Sequence, residues 1–452
     1  MAKMDPRIIG VAIALVAIAA IGYLAMTGGE QPAPAPTTVS PTGAPPTSPV
    51  ATVSPPATAT PAATSTATQT MQATGTAEGL PKEIPIGLAI AVSGGYAVDG
   101  PRRLKGALLA IEEMNQLLEK AGAPFKFKPI HEDTKTDPQE AVNVIKRFAS
   151  QGIQVVIGPL STSETRAVMP IANEQHIVII SPSSTGAAAA FPDDYVFRMA
   201  PPDTVQGPAL AKIIHSLGFT KLVIIARNDD YGSGLAKLVE ETFKQLGGRV
   251  EKILYQPDKP DLTNEVNQLA VKVQQMGADD KTAVLIIAFD DDGTKILEQA
   301  SKIDVLGKVR WFGPDSMARK TFLEKPEIAK FLEKVNLLVT KPAIARNPVT
   351  AHFEKLYKEK YGEDPTTYAY YAYDAAWIAM LSVLTAGKYD GQAIKAVLPT
   401  VAYHFIGATG HKMLNENGDA AFADYALVTV KDGQFKEVGI WHATTGQIEW
   451  YK

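Results

Sequence analysis

Two hydroxyl clusters, Ser161-Thr162-Ser163 and Ser183-Ser184-Thr185, are the first residues in this chain whose types could do chemistry together. Serine and threonine hydroxyls both donate and accept, and beside a helix N-terminus they hold a carboxylate without a formal positive charge. Acidic groups gather elsewhere: Asp290-Asp-Asp292 follows Phe289, Asp315 follows Gly313-Pro314, and Tyr231 follows Asp229-Asp230. A carboxylate facing an ammonium group makes a charge-assisted hydrogen bond. Hydroxyls on one side, with carboxylates and a tyrosine on the other, have the polarity that holds a zwitterion. Taken singly, each loop is also an ordinary turn with a capping residue.

Covalent chemistry is poorly served. The absence of cysteine removes disulfides, thiolate metal sites and a thiol nucleophile. The 7 histidines show no ligand spacing, and His131-Glu132 lacks the second histidine that a zinc helix needs. No Gly-x-Ser-x-Gly elbow or phosphate-cradling loop occurs. Asp290-Asp-Asp-Gly293 lacks the alternating ligand spacing of a calcium loop and reads as a turn and helix cap. Asn415-Glu-Asn-Gly-Asp419 reads as a surface turn, and the aromatic–alanine alternation over 368–373 as core packing or ligand contact. No enzyme is expected, and no cofactor or metal.

The polar clusters share one structural address: each follows an apolar run. Strands are expected over 86–92, 125–131, 155–157 and 177–180, with helices over 101–118, 138–148 and 163–174 between them. The rhythm then restarts, with strands over 221–226, 249–254, 283–288 and 309–312 and helices over 232–246, 262–276 and 294–303. Near-continuous Val/Ile runs separated by helices imply parallel sheets covered on both faces. Two such series predict two doubly wound α/β domains. Ligands bind such sheets beyond the carboxyl ends of the strands, where these loops lie. The first of them, after 86–92, carries Tyr96 and Asp99.

Ile157-Gly-Pro-Leu-Ser-Thr-Ser, Ile180-Ser-Pro-Ser-Ser-Thr, Arg198 with Gln206-Gly207, Asp230-Tyr-Gly, Gly313-Pro-Asp315 and Tyr371-Ala-Tyr-Asp374 occur in this order. The set resembles the branched-chain amino-acid (Leu/Ile/Val)-binding proteins, the solute receptors of ABC importers with the type I periplasmic-binding fold. The resemblance runs from about residue 85 to 441. It implies two lobes, 83–200 with 341–421 and 201–340 with 422–452, joined by three crossing segments near 198–202, 339–343 and beyond Gly418. It also implies that the loops matching Ser161, Thr162 and Ser163, and Ser183, Ser184 and Thr185, hold the ligand α-carboxylate. Asp315 would carry the countercharge for the ammonium, and Tyr231 would close the site from the second lobe. Phe289 and Asp290 lie on a neighbouring loop of that lobe. Where the family commonly offers an aromatic in the first loop, the match here is Asp99, with Tyr96 nearby.

The first 82 residues read differently. Lys3 and Arg7 precede an uncharged stretch over 8–26, long enough at about 1.5 Å per residue to just cross a hydrocarbon core. Residues 1–27 therefore read as a membrane anchor or a signal, with the remainder outside the cytoplasm. Residues 28–82, almost entirely Thr, Pro, Ala, Ser and Gly, read as a disordered stalk. A net charge of −4 gives no sign of a nucleic-acid partner. The expected protein is thus a membrane-anchored, cell-surface solute receptor that passes an amino acid to an ABC permease. A sensory ectodomain of the same fold, or a receptor for amides, urea or small carboxylates, is the alternative.

Overall fold

The computed structural model describes residues 79–451. The expected anchor, and all but the last few residues of the expected stalk, lie outside them. Among the described residues no helix is long and apolar enough to cross a membrane.

The first lobe is built on a parallel sheet of β1 (Glu83–Ala89), β2 (Lys126–Glu132), β3 (Val155–Ile157), β4 (Val178–Ser181) and β5 (Val196–Arg198), in the order β2-β1-β3-β4-β5. Its central strands β3 and β4 are buried throughout, which is why they read as unbroken apolar runs. At the edge, β2 alternates in exposure and tolerates Pro129. Helices α1 (Gly100–Lys120), α2 (Pro138–Ser150) and α3 (Thr162–Gln175) connect the strands. Asp137 caps α2 by accepting from the Glu140 N–H at 2.6 Å, and Pro138 fills the first turn, where a missing N–H costs nothing.

The second lobe begins with α4 (Asp203–Ser216). It alternates β6 (Lys221–Arg227), α5 (Gly232–Gln245), β7 (Arg249–Tyr255), α6 (Thr263–Gln275), β8 (Thr282–Ile287), α7 (Asp290–Ala300) and β9 (Arg310–Gly313). The short α8 (Lys320–Leu323) and α9 (Pro326–Lys334) lead to β10 (Leu338–Pro342). The chain then returns to the first lobe through α10 (Pro348–Tyr361), α11 (Thr367–Ala386), α12 (Gly391–His404) and a small pair, β11 (Ile406–Gly407) and β12 (Gly410–His411). Finally β13 (Tyr425–Lys431), β14 (Gln434–Trp441) and β15 (Ile448–Trp450) extend the second sheet as an antiparallel meander, giving the order β15-β14-β13-β10-β9-β8-β6-β7. Asp432 and Gly433, both at positive φ, form the β13–β14 turn, a turn type whose twist suits a hairpin.

Helix α11 is apolar on every side and buried along almost its whole length, packing against α1, α12 and the first sheet. Its contact with α1 is backbone to backbone. A Cβ at Gly106 would stand 2.3 Å from the Ala369 carbonyl oxygen, so only glycine permits this approach. The tyrosines over 368–373 therefore serve packing first, and only one of them reaches the cavity between the lobes.

Two of the segments that pass between the lobes are clamped together. Arg198 and Asp419, 0 % and 2 % exposed, form a two-pronged pair with Nε–Oδ1 2.5 Å and Nη2–Oδ2 2.6 Å. Arg198 Nη1 also donates to the Gly186 carbonyl at 2.6 Å. The expected surface turn at 415–419 is a turn, in which Asn415 Oδ1 accepts from the Asn417 and Asp419 N–H groups. It differs from expectation in ending on a buried charge rather than at the surface. The third passage joins the others through the Ala343 N–H, which donates to the Asp424 carbonyl.

Candidate functional site

Residues from both lobes meet at a cavity of about 20 Å³, close to the room one water needs. From the first lobe come Tyr96, Arg103, Thr162, Ser183, Thr185 and, on α11, Tyr368. The second lobe contributes Tyr231, Phe289, Asp315, Ser316 and Arg319. The lobes are closed on each other, and a larger ligand enters only when they part.

The hydroxyl side divides its labour. Ser161 is the N-cap of α3, and its hydroxyl is fully committed: it donates to Glu164 Oε2 at 2.6 Å and accepts from the Glu164 N–H at 3.2 Å. This is a capping box, so Ser161 shapes the loop and is not a free ligand donor, contrary to expectation. Glu164 is itself fully buried, taking further bonds from Thr134 and from the Ser161 N–H. Burial pushes its carboxyl above the usual range, against the pull of those hydrogen bonds. Thr162 stands one residue on, at the positive end of α3. Its Oγ1 accepts from the Gly186 N–H at 2.9 Å and keeps its own hydrogen for the cavity. Ser163 is half-exposed and outside the cavity lining, because helical geometry turns it away from Thr162.

In the second hydroxyl loop, Ser183 Oγ donates to the Leu160 carbonyl at 2.8 Å and accepts from Arg103 Nη1 at 2.6 Å. Thr185 lines the cavity, whereas Ser184 is buried outside it with a hydroxyl that has no partner among the described residues. The close packing behind these loops is glycine-dependent at Gly158, which has φ +100° and where a Cβ would lie 2.1 Å from the Ala89 carbonyl oxygen.

The acidic side centres on Asp315, at the end of β9. Its Oδ1 accepts from Gln206 Nε2 at 2.8 Å and its Oδ2 from the Tyr368 hydroxyl at 2.7 Å. Tyr231 donates to Ser316 Oγ at 3.1 Å. Burial, then the Asp315 charge, drives both tyrosine hydroxyls well above their ordinary range, so they stay protonated donors. Behind Asp315 lies Asp203, 0 % exposed, its carboxyl beside the Thr185 hydroxyl but with neither oxygen in a well-formed hydrogen bond among the described residues. Burial lifts its carboxyl to about 7.

The third side is cationic, which the sequence reading did not anticipate. Arg103 on α1 reaches Asp99 Oδ2 with Nε at 2.8 Å and Nη2 at 2.6 Å. Arg319, from the other lobe, meets the same oxygen at 2.5 Å. Burial alone would raise the Asp99 carboxyl, but Arg319 and Arg103 hold it well below the usual carboxylate range. Asp99 is therefore not the residue facing the cavity from the first loop; Tyr96 is, with Phe289 at 5.1 Å across the cleft and Tyr231 stacked behind Phe289 at 5.4 Å and 15°. Arg103 lies between the Tyr96 and Tyr368 rings at 4.5 and 4.6 Å. Asp290 is also displaced from its expected place. Residues 290–292 form the first turn of α7 rather than a preceding loop, because acidic groups there face the positive helix end. Asp292 caps by accepting from the Phe289 N–H, while Asp290 bonds Thr321 and stays outside the cavity lining.

Arg103 and Arg319 gave no separate signal in the sequence. Arg103 sits four residues after Asp99 and looks like a surface helix pair; only the fold buries it. The capping box at Ser161-Thr-Ser-Glu164 is legible, and it is the signal by which Ser161 could have been set apart. Among the described residues no cluster of His, Asp and Glu could hold a metal ion.

Two α/β lobes, three passages between them and a polar cavity at the strand ends define a protein of the type I periplasmic-binding fold. The chain belongs to the family described as the receptor family ligand-binding region, whose model matches residues 102–433. It is 32% identical over 387 residues to an uncharacterized protein of Methanocaldococcus jannaschii, covering 81% of this chain and 91% of that one. It is 25% identical over 348 residues to the leucine-, isoleucine-, valine-, threonine- and alanine-binding protein of Pseudomonas aeruginosa, covering 76% and 89%. Among solved structures, a leucine-binding protein of Thermotoga maritima superposes with a TM-score of 0.67 at 24% identity, covering 79% of this chain and 98% of that one. At that identity the likeness carries the fold.

Proposed function

We propose that this protein is an extracytoplasmic solute-binding receptor of an ABC importer, capturing an amino acid between its lobes and delivering it to a permease. The observation that carries this reading is the polarity of the cavity. Thr162, at the positive end of α3, and Thr185, in the loop after β4, offer hydroxyls to a carboxylate. Asp315 faces them from the other lobe as the partner for an ammonium group. Each end of a zwitterion thus meets its complement, and the two ends are held by different lobes. A ligand that bridges the lobes binds the closed form better than the open one, and that difference alone shifts the balance toward closure. The amino-terminal stretch over 8–26 would tether the receptor to the cytoplasmic membrane, with 28–82 as its stalk.

A thermal-shift panel on the full chain tests the reading, using amino acids, amides, urea and small carboxylates. A ligand at 100 times its Kd adds about 2.7 kcal/mol, which is readily detected. Stabilisation by α-amino acids is expected. Stabilisation by amides, urea or simple carboxylates alone would overturn the assignment of Asp315 as an ammonium partner.

A further inference from the structure

Apolar amino acids demand apolar walls, and among the described residues none of aliphatic character lines this cavity. Its lining consists of four aromatic rings, hydroxyls, Asp315 and two guanidiniums. Burying a leucine side chain is favourable when carbon replaces water around it. Against Arg103 and Arg319 the same group would strip water from two cations and return no hydrogen bond.

The two guanidiniums also share a single carboxylate oxygen. Both converge on one oxygen, Asp99 Oδ2, at 2.8 and 2.6 Å from Arg103 and 2.5 Å from Arg319. Each guanidinium carries about five N–H donors. Beyond Asp99, Arg319 has among the described residues only a 3.3 Å bond to the Ser316 carbonyl, with Asp290 at 3.9 Å balancing charge beyond hydrogen-bond range. Arg103 spends one further donor on Ser183. Arg227, over the far face of Phe289, is by contrast matched by Asp229 and Asp292. Two cations at the cavity thus share one carboxylate within hydrogen-bond range, where Arg227 has two carboxylates to itself.

We infer that the ligand's side chain ends in a planar oxygen-bearing group, a carboxylate or carboxamide, received by Arg319 and Arg103, and not in a branched alkyl group. This rests on the amino-acid reading above and sharpens it. A planar acceptor satisfies a guanidinium fork in two bonds at once, which an alkyl terminus or a single hydroxyl does not.

Titration calorimetry on the full chain with L-glutamate, L-aspartate, L-glutamine, L-asparagine, L-leucine, L-isoleucine and L-valine decides the matter. At least one of the first four should bind at least about tenfold tighter than any of the last three. Whether the acids or the amides lead distinguishes the two termini. In Arg319→Leu the polar ligand should lose at least about tenfold and the gap to leucine should narrow. If leucine, isoleucine or valine binds tightest to the unaltered protein, the inference falls while the amino-acid reading stands. If none of the seven binds, the inference falls, and the thermal-shift panel decides the amino-acid reading by itself. The ranking in the unaltered protein is independent of whether the variant folds.

Discussion

Asp315→Asn isolates one charge while leaving the shape of the site intact. The carboxylate accepts from Gln206 at 2.8 Å and from Tyr368 at 2.7 Å. Asparagine keeps one carbonyl acceptor for Gln206, and the Tyr368 hydroxyl can rotate to accept from the new amide, so the folded state should lose only about 1 kcal/mol. The ligand loses a charge-assisted bond to its ammonium group, about 1.5–3 kcal/mol. That is roughly a ten- to hundredfold rise in Kd. Neighbouring Asp203 provides an internal control. Its carboxyl, at about 7 in the parent, is raised by burial and in part by the Asp315 charge. It falls in the variant, so pH 5 rather than near-neutral pH keeps it largely protonated and unable to stand in for the missing charge. At pH 8 it is ionised and should recover part of the loss. Calorimetry at the two pH values, with melting curves to establish that the variant is folded, measures both effects. A folded Asp315→Asn protein with unchanged affinity at pH 5 would refute the ammonium assignment.

Three further outcomes are expected. Asp419→Ala should cost about 3–5 kcal/mol in urea denaturation, because it strands the fully buried Arg198 guanidinium without its partner; a loss below about 1 kcal/mol would show that the clamp is dispensable. Asp203 has a folded-state pKa raised from 3.8 to about 7, so its contribution is fully present below the lower value and is lost as pH rises through the upper one, by up to about 4 kcal/mol. Asp203→Asn should remove that slope, raising stability relative to the parent at pH 8 and not at pH 4; an identical pH profile in thermal melts contradicts this. Finally, Ser161→Ala and Thr162→Ala should separate: the first loses about 1–2 kcal/mol of stability through the α3 cap with affinity nearly unchanged, the second loses affinity with a smaller effect on melting.

The architecture is visible in the sequence because parallel strands buried on both faces cannot alternate. Runs such as 155–157 and 283–287 announce themselves, and the loops that follow them carry most of the cavity: Thr162, Ser183, Thr185, Tyr231, Phe289 and Asp315. The misplacements have physical causes. Asp290-Asp-Asp292 has turn composition, yet the field of a helix N-terminus recruits it into α7. Ser161 has the right chemistry for a ligand and spends it on Glu164. Asp419 has the local signature of a surface turn, and only Arg198, distant in sequence, makes it a buried one. Arg103 and Arg319 were hidden for a related reason. An arginine on an amphipathic helix, or in a turn after a strand, is ordinarily solvated, and its burial depends on a second lobe that local periodicity does not describe.

The smallness of the closed cavity has a kinetic meaning as well. A molecule larger than water cannot leave a space of about 20 Å³ walled by both lobes unless the walls separate. Its rate of escape therefore cannot exceed the rate of opening, however weak its own contacts. Opening in turn must break the Arg319–Asp99 and Tyr368–Asp315 contacts, together with the Arg166–Asp230 pair at the rim. Those contacts are made by the protein with itself, so part of the ligand's residence time is written into bonds in which it takes no part. A docking partner that pulls Asp99 away from Arg319 would release the cargo without competing for the site.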